Sequence, residues 1–480
     1  MMASAGGGGH FTLMQDAGTG GIYNWKIKYD TSNQYIVLAH FLYDYTESRY
    51  RAFIQSFDLD GNVNWIKELG DGNSSNAQLG GIDLDNSGNI YILGAGLLTY
   101  DSSWPGMIKL NSSGAVQWTK QFNNAPSLAG ALTENAVLVD LDQNHVHFSY
   151  DWGYQGNAHY TLRTSNGTMP SSPYYTYMQH HGVSSGSDNY MEQCLSQNST
   201  AIVSGGRFYD YSSSSSSRRH DFTLGAFNHN FEYQYGSSQT VRNQSYGPII
   251  HDIVSVDSTN FVSVGLIQPE GTNPTYTELP TLLKSYVDTS DQWKHKYTAK
   301  KMFLTTLGSY YRAVSKQSNS SGDYVVVAYG NNKVHVNKFD ASLNMGECGY
   351  FSGVGMSVIG GTDKDEVIID DNDDMWCAFV TDTTPSTTGQ YLILTKTPSD
   401  FSQVPSSISL PHASYSLSFG QFTSSQISGA VYQTSIPSFS GIYQSTQSMT
   451  SKGYTSISLT NQTLQQDTSP TLFDWDTSDL

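Results

Sequence analysis

One short apolar segment returns along this chain at nearly constant spacing. Copies begin at Tyr35 (YIVLAH), Ile90 (IYILGA), Val146 (VHFSYD), Ala201 (AIVSGG), Phe261 (FVSVGL), Tyr324 (YVVVAY), Met375 (MWCAFV) and Ile427 (ISGAVY), in steps of 55, 56, 55, 60, 63, 51 and 52 residues. A fixed period of this size, with four strand-like pieces in each copy, is how radially repeated β architecture looks in sequence. Such an array can form one closed body even in a chain of 480 residues.

The clearest period spans residues 81–122. It reads as strands over 81–85, 90–95, 107–110 and 115–122, with tight turns at Asn86-Ser87-Gly88-Asn89 and Asn111-Ser112-Ser113-Gly114. Gly and Asn tolerate the positive φ that such turns require. The preceding period carries Phe57-Asp58-Leu59-Asp60-Gly61-Asn62-Val63-Asn64-Trp65, so Trp65 and Trp118 fall at one place in the fourth strand. Fainter copies of this hairpin start at Phe227, Val287 and Phe339. Period-two alternation dominates and stripes of helical period are almost absent. An eighth copy can be drawn over 415–419, 427–433, 442–445 and 454–460. The expected fold is all-β with eight four-stranded blades, the alternative being seven blades plus an extension. Residues 1–21 form a glycine-rich arm, 22–460 the repeat body and 461–480 an acidic tail, in which Phe473 and Trp475 are candidates for docking in an assembly.

The hairpin pattern of (aromatic or Lys)-x-(Asp or Asn)-x-(Asp or Ser)-Gly-x-Val-x-Trp, with Asp-x-Asp-x-x-Gly-Asn-x-Tyr upstream, resembles the β-propeller repeats of many bacterial surface proteins and of tailed-phage virion proteins. Residues 35–122 carry the resemblance strongly and 220–345 weakly. It implies a blade and leaves function to the loops.

Composition narrows the function classes. Only 14% of residues are charged, while Tyr (33), Phe (20) and Trp (8) are abundant. A surface built of neutral polar groups suits a particle-bound or extracellular protein. A net charge of −18 argues against sequence-specific nucleic-acid binding, which draws its affinity from Lys and Arg on phosphates. Cys194, Cys348 and Cys377 form neither a disulfide framework nor a metal-ligand spacing. No run of about eighteen apolar residues calls for membrane insertion, and the start MMASAGGGGHF lacks the basic and apolar regions of a secretory signal.

Two kinds of candidate site follow. The loops after the second strands pair aromatic rings with carboxylates: Tyr43, Asp44 and Tyr45; Tyr100 and Trp104; Tyr150 and Trp152; Tyr209, Asp210 and Tyr211. Such sets suit either protein contact or sugar recognition, with rings stacking on pyranose faces and carboxylates accepting from hydroxyls. Acidic turns supply hard oxygens of the kind calcium takes, the best being Asp370, Asp371, Asp373 and Asp374. The competing reading of these turns is that each Asp closes its own turn through backbone N–H groups. Gly182-Val183-Ser184-Ser185-Gly186 matches a nucleophile elbow in letters only, since no helix pattern follows it. The expectation is a non-enzymatic chain without an obligate cofactor, calcium being the one metal it would suit. It would be a structural part of a tailed-phage virion, in the tail apparatus or an appendage, contacting other virion proteins, copies of itself and a host-surface glycan. A secreted or cell-surface carbohydrate-binding propeller is the alternative, and a capsid decoration protein the third reading.

Overall fold

The computed structural model of the chain describes residues 11–16, 20–70, 77–98, 105–123, 136–151, 157–170, 176–177, 188–210, 219–231, 233–242, 249–267, 279–291, 293–302, 310–316, 323–330, 333–352, 367–382 and 390–399. In the last eighty residues it describes 408–409, 416–421, 450–451, 458–460, 465–467 and 475–476. Every regular element among them is a β-strand.

The strands form successive antiparallel meanders. The first sheet is Gly21–Asp30, Tyr35–Asp44, Arg49–Asp58 and Val63–Gly70. The second is Gln78–Leu84, Ile90–Ala95, Pro105–Leu110 and Val116–Asn123. The third holds Ala136–Val139, His145–Asp151 and Asn157–Arg163. The fourth, fifth and sixth begin at Asp188–Gln197, Ile249–Ser255 and Tyr310–Lys316, and each has four meander strands. The seventh is Val367–Ile369, Asp374–Asp382 and Gln390–Pro398, and its next strand is supplied from the other end of the chain by Phe11–Asp16. The first seven copies of the repeated segment are therefore the second strands of the seven sheets.

The core lies between sheets. Each apolar cluster joins two consecutive sheets, and the cluster of Trp25, Ile27, Leu38, Trp376, Ala378 and Leu394 joins the seventh to the first. Burial of each such large side chain contributes roughly 1.5–3 kcal/mol. Repeated antiparallel sheets stacked face to face, with the first strand of each against the first strand of the next, are the arrangement of a β-propeller.

A repeated polar contact fixes the angle between neighbours. The indole N–H of Trp65 and the hydroxyl of Tyr35 donate to the Ser112 carbonyl of the second sheet, at 3.1 and 3.2 Å. Trp118 Nε1 and Lys109 Nζ donate to the Thr164 carbonyl of the third sheet, each at 3.0 Å. Lys284 reaches the Ala341 carbonyl of the sixth at 3.0 Å, and Lys396 the Leu59 carbonyl of the first at 2.8 Å. Each acceptor is the residue just after the one that opens the third-to-fourth turn of the next sheet. Gly114 and Gly167 close two of these turns at φ +75 and +66, and a Cβ on either would crowd the tryptophan that makes the contact, Trp65 or Trp118, and the lysine two residues beyond it, Lys67 or Lys120. In the faint copies the same left-handed position is filled by Phe231 and Leu343, at φ 60 and 63, with both side chains buried. Apolar burial there offsets a left-handed cost of roughly 1–2 kcal/mol.

A second repeated device is a bulge on the first strand, where Gly80, Gln193, His251 and Arg312 are inserted opposite the second strand. Bulges increase local twist and bend the strand. Gly94 and Gly265 stand beside two of these bulges, and a Cβ on Gly265 would lie 2.0 Å from the Ile249 carbonyl oxygen.

The eighth sheet expected from sequence is not built by the described strands of residues 400–460. Ser416–Gln421 pairs with Met345–Ser352 of the sixth sheet, Thr450–Ser451 with Thr176–Tyr177, and Ser458–Thr460 with Val116–Asn123 of the second. Gln465–Asp467 extends the first sheet and Trp475–Asp476 pairs with Phe11–Asp16 on the seventh. The physical reason is an open edge: the outermost strand of a meander leaves a row of N–H and C=O groups unpaired. The end of the chain satisfies those rows one sheet at a time. Segments 427–433 and 442–445, with Phe473, lie outside the described residues.

Three substitutions test these packing and contact rules. Gly265→Ala should destabilise by about 2 kcal/mol or more, because its neighbour is backbone, whereas Gly346→Ala, whose Cβ would stand 3.6 Å from the Lys338 carbonyl, should stay within about 0.5 kcal/mol. Trp118→Phe should cost about 1 kcal/mol through the lost donor. Urea midpoints read all three.

Candidate functional site

The acidic turns resolve first. In the hairpin at Asp58, one carboxylate oxygen accepts from the N–H groups of Asp60 and Asn62, at 3.0 and 2.8 Å. Asp340 does the same with Ser342 and Asn344, and Asn111 with Ser113 and Ala115. Asp370 follows suit: Oδ1 accepts from Asn372 and Asp374 at 2.8 and 3.0 Å, while Oδ2 accepts from the Trp376 indole at 2.9 Å. Burial pushes the Asp370 pKa up against these donors. Asp374 pairs with the buried Lys396 at 3.1 Å. Asp371 stands beside the Tyr29 hydroxyl, whose pKa rises first through burial and then through that carboxylate. Asp373 occupies the left-handed position at φ 60. The four carboxylates of this turn thus have separate neighbours. Among the described residues, the group bringing three metal-ligating side chains together is Asp140, Asp142 and His145.

The aromatic candidates gather at the opposite end of the sheets. Asp44, Asp151 and Asp210 are each the last residue of a second strand, so positions that disagree when counted from the strand start agree when counted from its end. Tyr150 and Tyr209 occupy the preceding position, paired with Ala158 and His220. Tyr100, Trp104, Trp152 and Tyr211 lie outside the described residues, as does the Gly182–Gly186 segment.

On the first sheet the geometry is complete. Tyr43 pairs across the hairpin with Tyr50, ring centroids 4.9 Å apart and edge to face, and packs on Tyr45 at 5.1 Å. Tyr23 meets Tyr50 at 5.6 Å and stacks on Phe41 at 6.1 Å. Tyr23 is the bulged residue between Ile22 and Asn24, and bulges re-aim side chains. Tyr45 is 39% exposed, and Tyr23, Tyr43 and Tyr50 are half-buried. Burial, together with the hydrogen bond to Tyr45, raises the Tyr23 pKa to about 12. The Tyr23 phenol is therefore protonated at neutral pH and remains a hydrogen-bond donor.

Asp44 serves this patch from beneath. Its Oδ1 accepts from Thr46 and Glu47 N–H at 2.8 and 3.1 Å, and its Oδ2 from Arg51 at 3.2 Å. Arg51 is also bidentate to Glu68, at 2.9 and 2.6 Å. Burial alone would raise the Asp44 pKa, but these donors outweigh it and hold the carboxyl below its ordinary value. Sequence reasoning missed Tyr23, Tyr50 and Arg51. The hairpin register would have found Tyr50, since Tyr43 faces it across the turn; the bulge that turns Tyr23 has no signature in alternation.

No protein-family model matches the chain, and no curated protein matches it. Solved structures that match the chain include the Dos1 propeller, at 8% identity over 80% of this chain and 95% of that one, with a TM-score of 0.40. The Nup133 β-propeller domain of Vanderwaltozyma polyspora matches at 9% identity over 78% and 100%, TM-score 0.31. The biofilm matrix protein Bap1 of V. cholerae matches at 10% identity over 78% and 87%, TM-score 0.22. Nothing in these comparisons ties the chain to tailed-phage proteins.

The Asp44 network has a defined pH signature. A lowered folded-state pKa gives stability that is present above the ordinary carboxylate value of about 4 and is lost as pH falls through the folded value. The fall in urea midpoint between pH 7 and pH 3 should therefore be smaller in Asp44→Asn than in the wild type.

Proposed function

We propose that the chain is a non-enzymatic structural β-propeller of seven closed blades that holds partner proteins within a larger particle. Closure is supported by the contacts from the seventh sheet to the first: Trp25 Nε1 donates to the Ala378 carbonyl at 2.9 Å, and Lys396 reaches Leu59 as Lys284 reaches Ala341. Pairing of Phe11–Asp16 with Gln390–Pro398 ties the two ends of the ring together. The setting that composition and repeat type favour is a tailed-phage virion, in its tail apparatus or an appendage.

The observation that carries the binding role is the first-sheet tyrosine patch. Four phenols offer large, rigid, amphipathic area, the composition of protein-contact surfaces. Glycan recognition is the weaker reading of the same patch. A sugar site needs a carboxylate free to accept hydroxyls, and both Asp44 oxygens are engaged by the turn and by Arg51.

The test is photocrosslinking. With benzoylphenylalanine in place of Tyr45, particles purified from the source should yield a crosslink from the patch to one other particle protein. The double variant Tyr43→Ser/Tyr45→Ser should fold and yet lose incorporation at least tenfold. Saturable glycan binding abolished by the same double variant would overturn the protein-contact reading, and full incorporation of that variant would remove the patch from function altogether.

A further inference from the structure

The junction between the third and fourth sheets departs from the rule that apolar side chains fill every interface. Its apolar cluster comprises Leu138, Ile202, Phe227 and Phe231, with Leu195 at its margin, and among the described residues it is the smallest of the seven. The third sheet turns imidazoles towards it instead: His147 lies 4.7 Å from Phe231 and His159 5.0 Å from Phe227, ring to ring.

At the turn end of this junction, ligating atoms converge. Asp140, Asp142 and His145 bring their ligand atoms within 4.8 Å of one another. His145 Nδ1 stands 2.8 Å from Asp142 Oδ2. The fourth sheet contributes His229, whose Nδ1 is 3.3 Å from Asp140 Oδ1 but which stands outside the mutual 4.8 Å group. Beneath them His147 is fully buried; its Nδ1 lies 2.9 Å from the Thr161 hydroxyl, and its Nε2 stands 3.4 Å from Asp140 Oδ2 without the alignment of a hydrogen bond.

We propose that Asp140, Asp142 and His145 bind a divalent transition ion of the zinc class, and that His229 of the neighbouring sheet, which already stands against Asp140, turns in as the fourth ligand, so that the metal pins the third sheet to the fourth. Ligands about 2.0–2.2 Å from a tetrahedral ion stand roughly 3.4 Å apart, and the Asp140–His229 separation already has that length. The second shell is built as metal sites require. The N–H groups of Asn144 and His145 orient Asp142, and that of Leu141 orients Asp140. Thr161 fixes the ring of His147, a positioning residue against Asp140. Two carboxylates with neutral imidazoles balance a divalent charge, and imidazole nitrogen selects zinc or cobalt over calcium. Where apolar burial is thin, a coordinate cross-link supplies the stability.

The experiment uses the full-length chain freed of metal by chelation. Titration with zinc should show one tight equivalent. Cobalt(II) should give the intense visible absorption of a tetrahedral site, and zinc should raise the melting temperature. Asp142→Asn and His145→Gln, both at surface positions, should weaken that equivalent tenfold or more while leaving the metal-free urea midpoint unchanged. His229→Ala should weaken it and alter the cobalt spectrum. The proposal is overturned by absence of saturable zinc binding, by binding indifferent to Asp142→Asn and His145→Gln, or by a response to calcium alone.

Discussion

Four sheet junctions of this protein turn on one backbone carbonyl, that of the second residue in the third-to-fourth turn. Ser112, Thr164, Ala341 and Leu59 present it, and a tryptophan, tyrosine or lysine of the preceding sheet donates to it. Apolar packing between sheets is non-directional and would tolerate many angles. A hydrogen bond to a fixed turn carbonyl tolerates few. The glycines that let the turn approach, and the buried Leu343 that replaces one on the sixth sheet, are the local conditions for that contact. The same contact recurs where the seventh sheet meets the first, so one rule serves the junctions within the chain and the one between its ends.

The two ends of the sheets are built for different tasks. At one end the turns are short and closed by Asp or Asn, and their carboxylates are consumed by backbone N–H groups. At the other end the second strands of the first, third and fourth sheets finish in a tyrosine followed by a carboxylate, and on the first sheet a bulge brings Tyr23 into the patch. Strand edges follow a related logic. Meanders leave their outer edges open, and pieces from both ends of the chain occupy the edges of the first, second, sixth and seventh sheets. Edges that would otherwise invite another chain are met by this one.

Much of this was legible in residues alone. The second strands could be read because apolar segments recur at a period the fold enforces, and Trp65 and Trp118 could be matched because each meets the same kind of turn. Asp58 and Asp340 could be read as turn closers because the spacing to the next Asn leaves their carboxylates over free N–H groups. The patch was legible in part: Tyr43, Asp44 and Tyr45 sit in one hairpin, whereas Tyr23, Arg51 and Glu68 reach it only through pairing. The eighth copy misled because a short alternating segment reads alike as a blade strand or as an edge strand on an existing sheet.

The sequence by itself determined that this protein is all-β, where its strands repeat and how its turns close, because period, alternation and turn chemistry are local properties. Tertiary structure alone decided which edges the end of the chain covers, which sheet meets which, and that Asp44 is held by Arg51. It also decided that His229 comes to stand beside Asp140, eighty-nine residues away in sequence. Those outcomes depend on register, bulges and the angle between sheets, which place distant residues within a few ångströms and leave no trace in the spacing of neighbours.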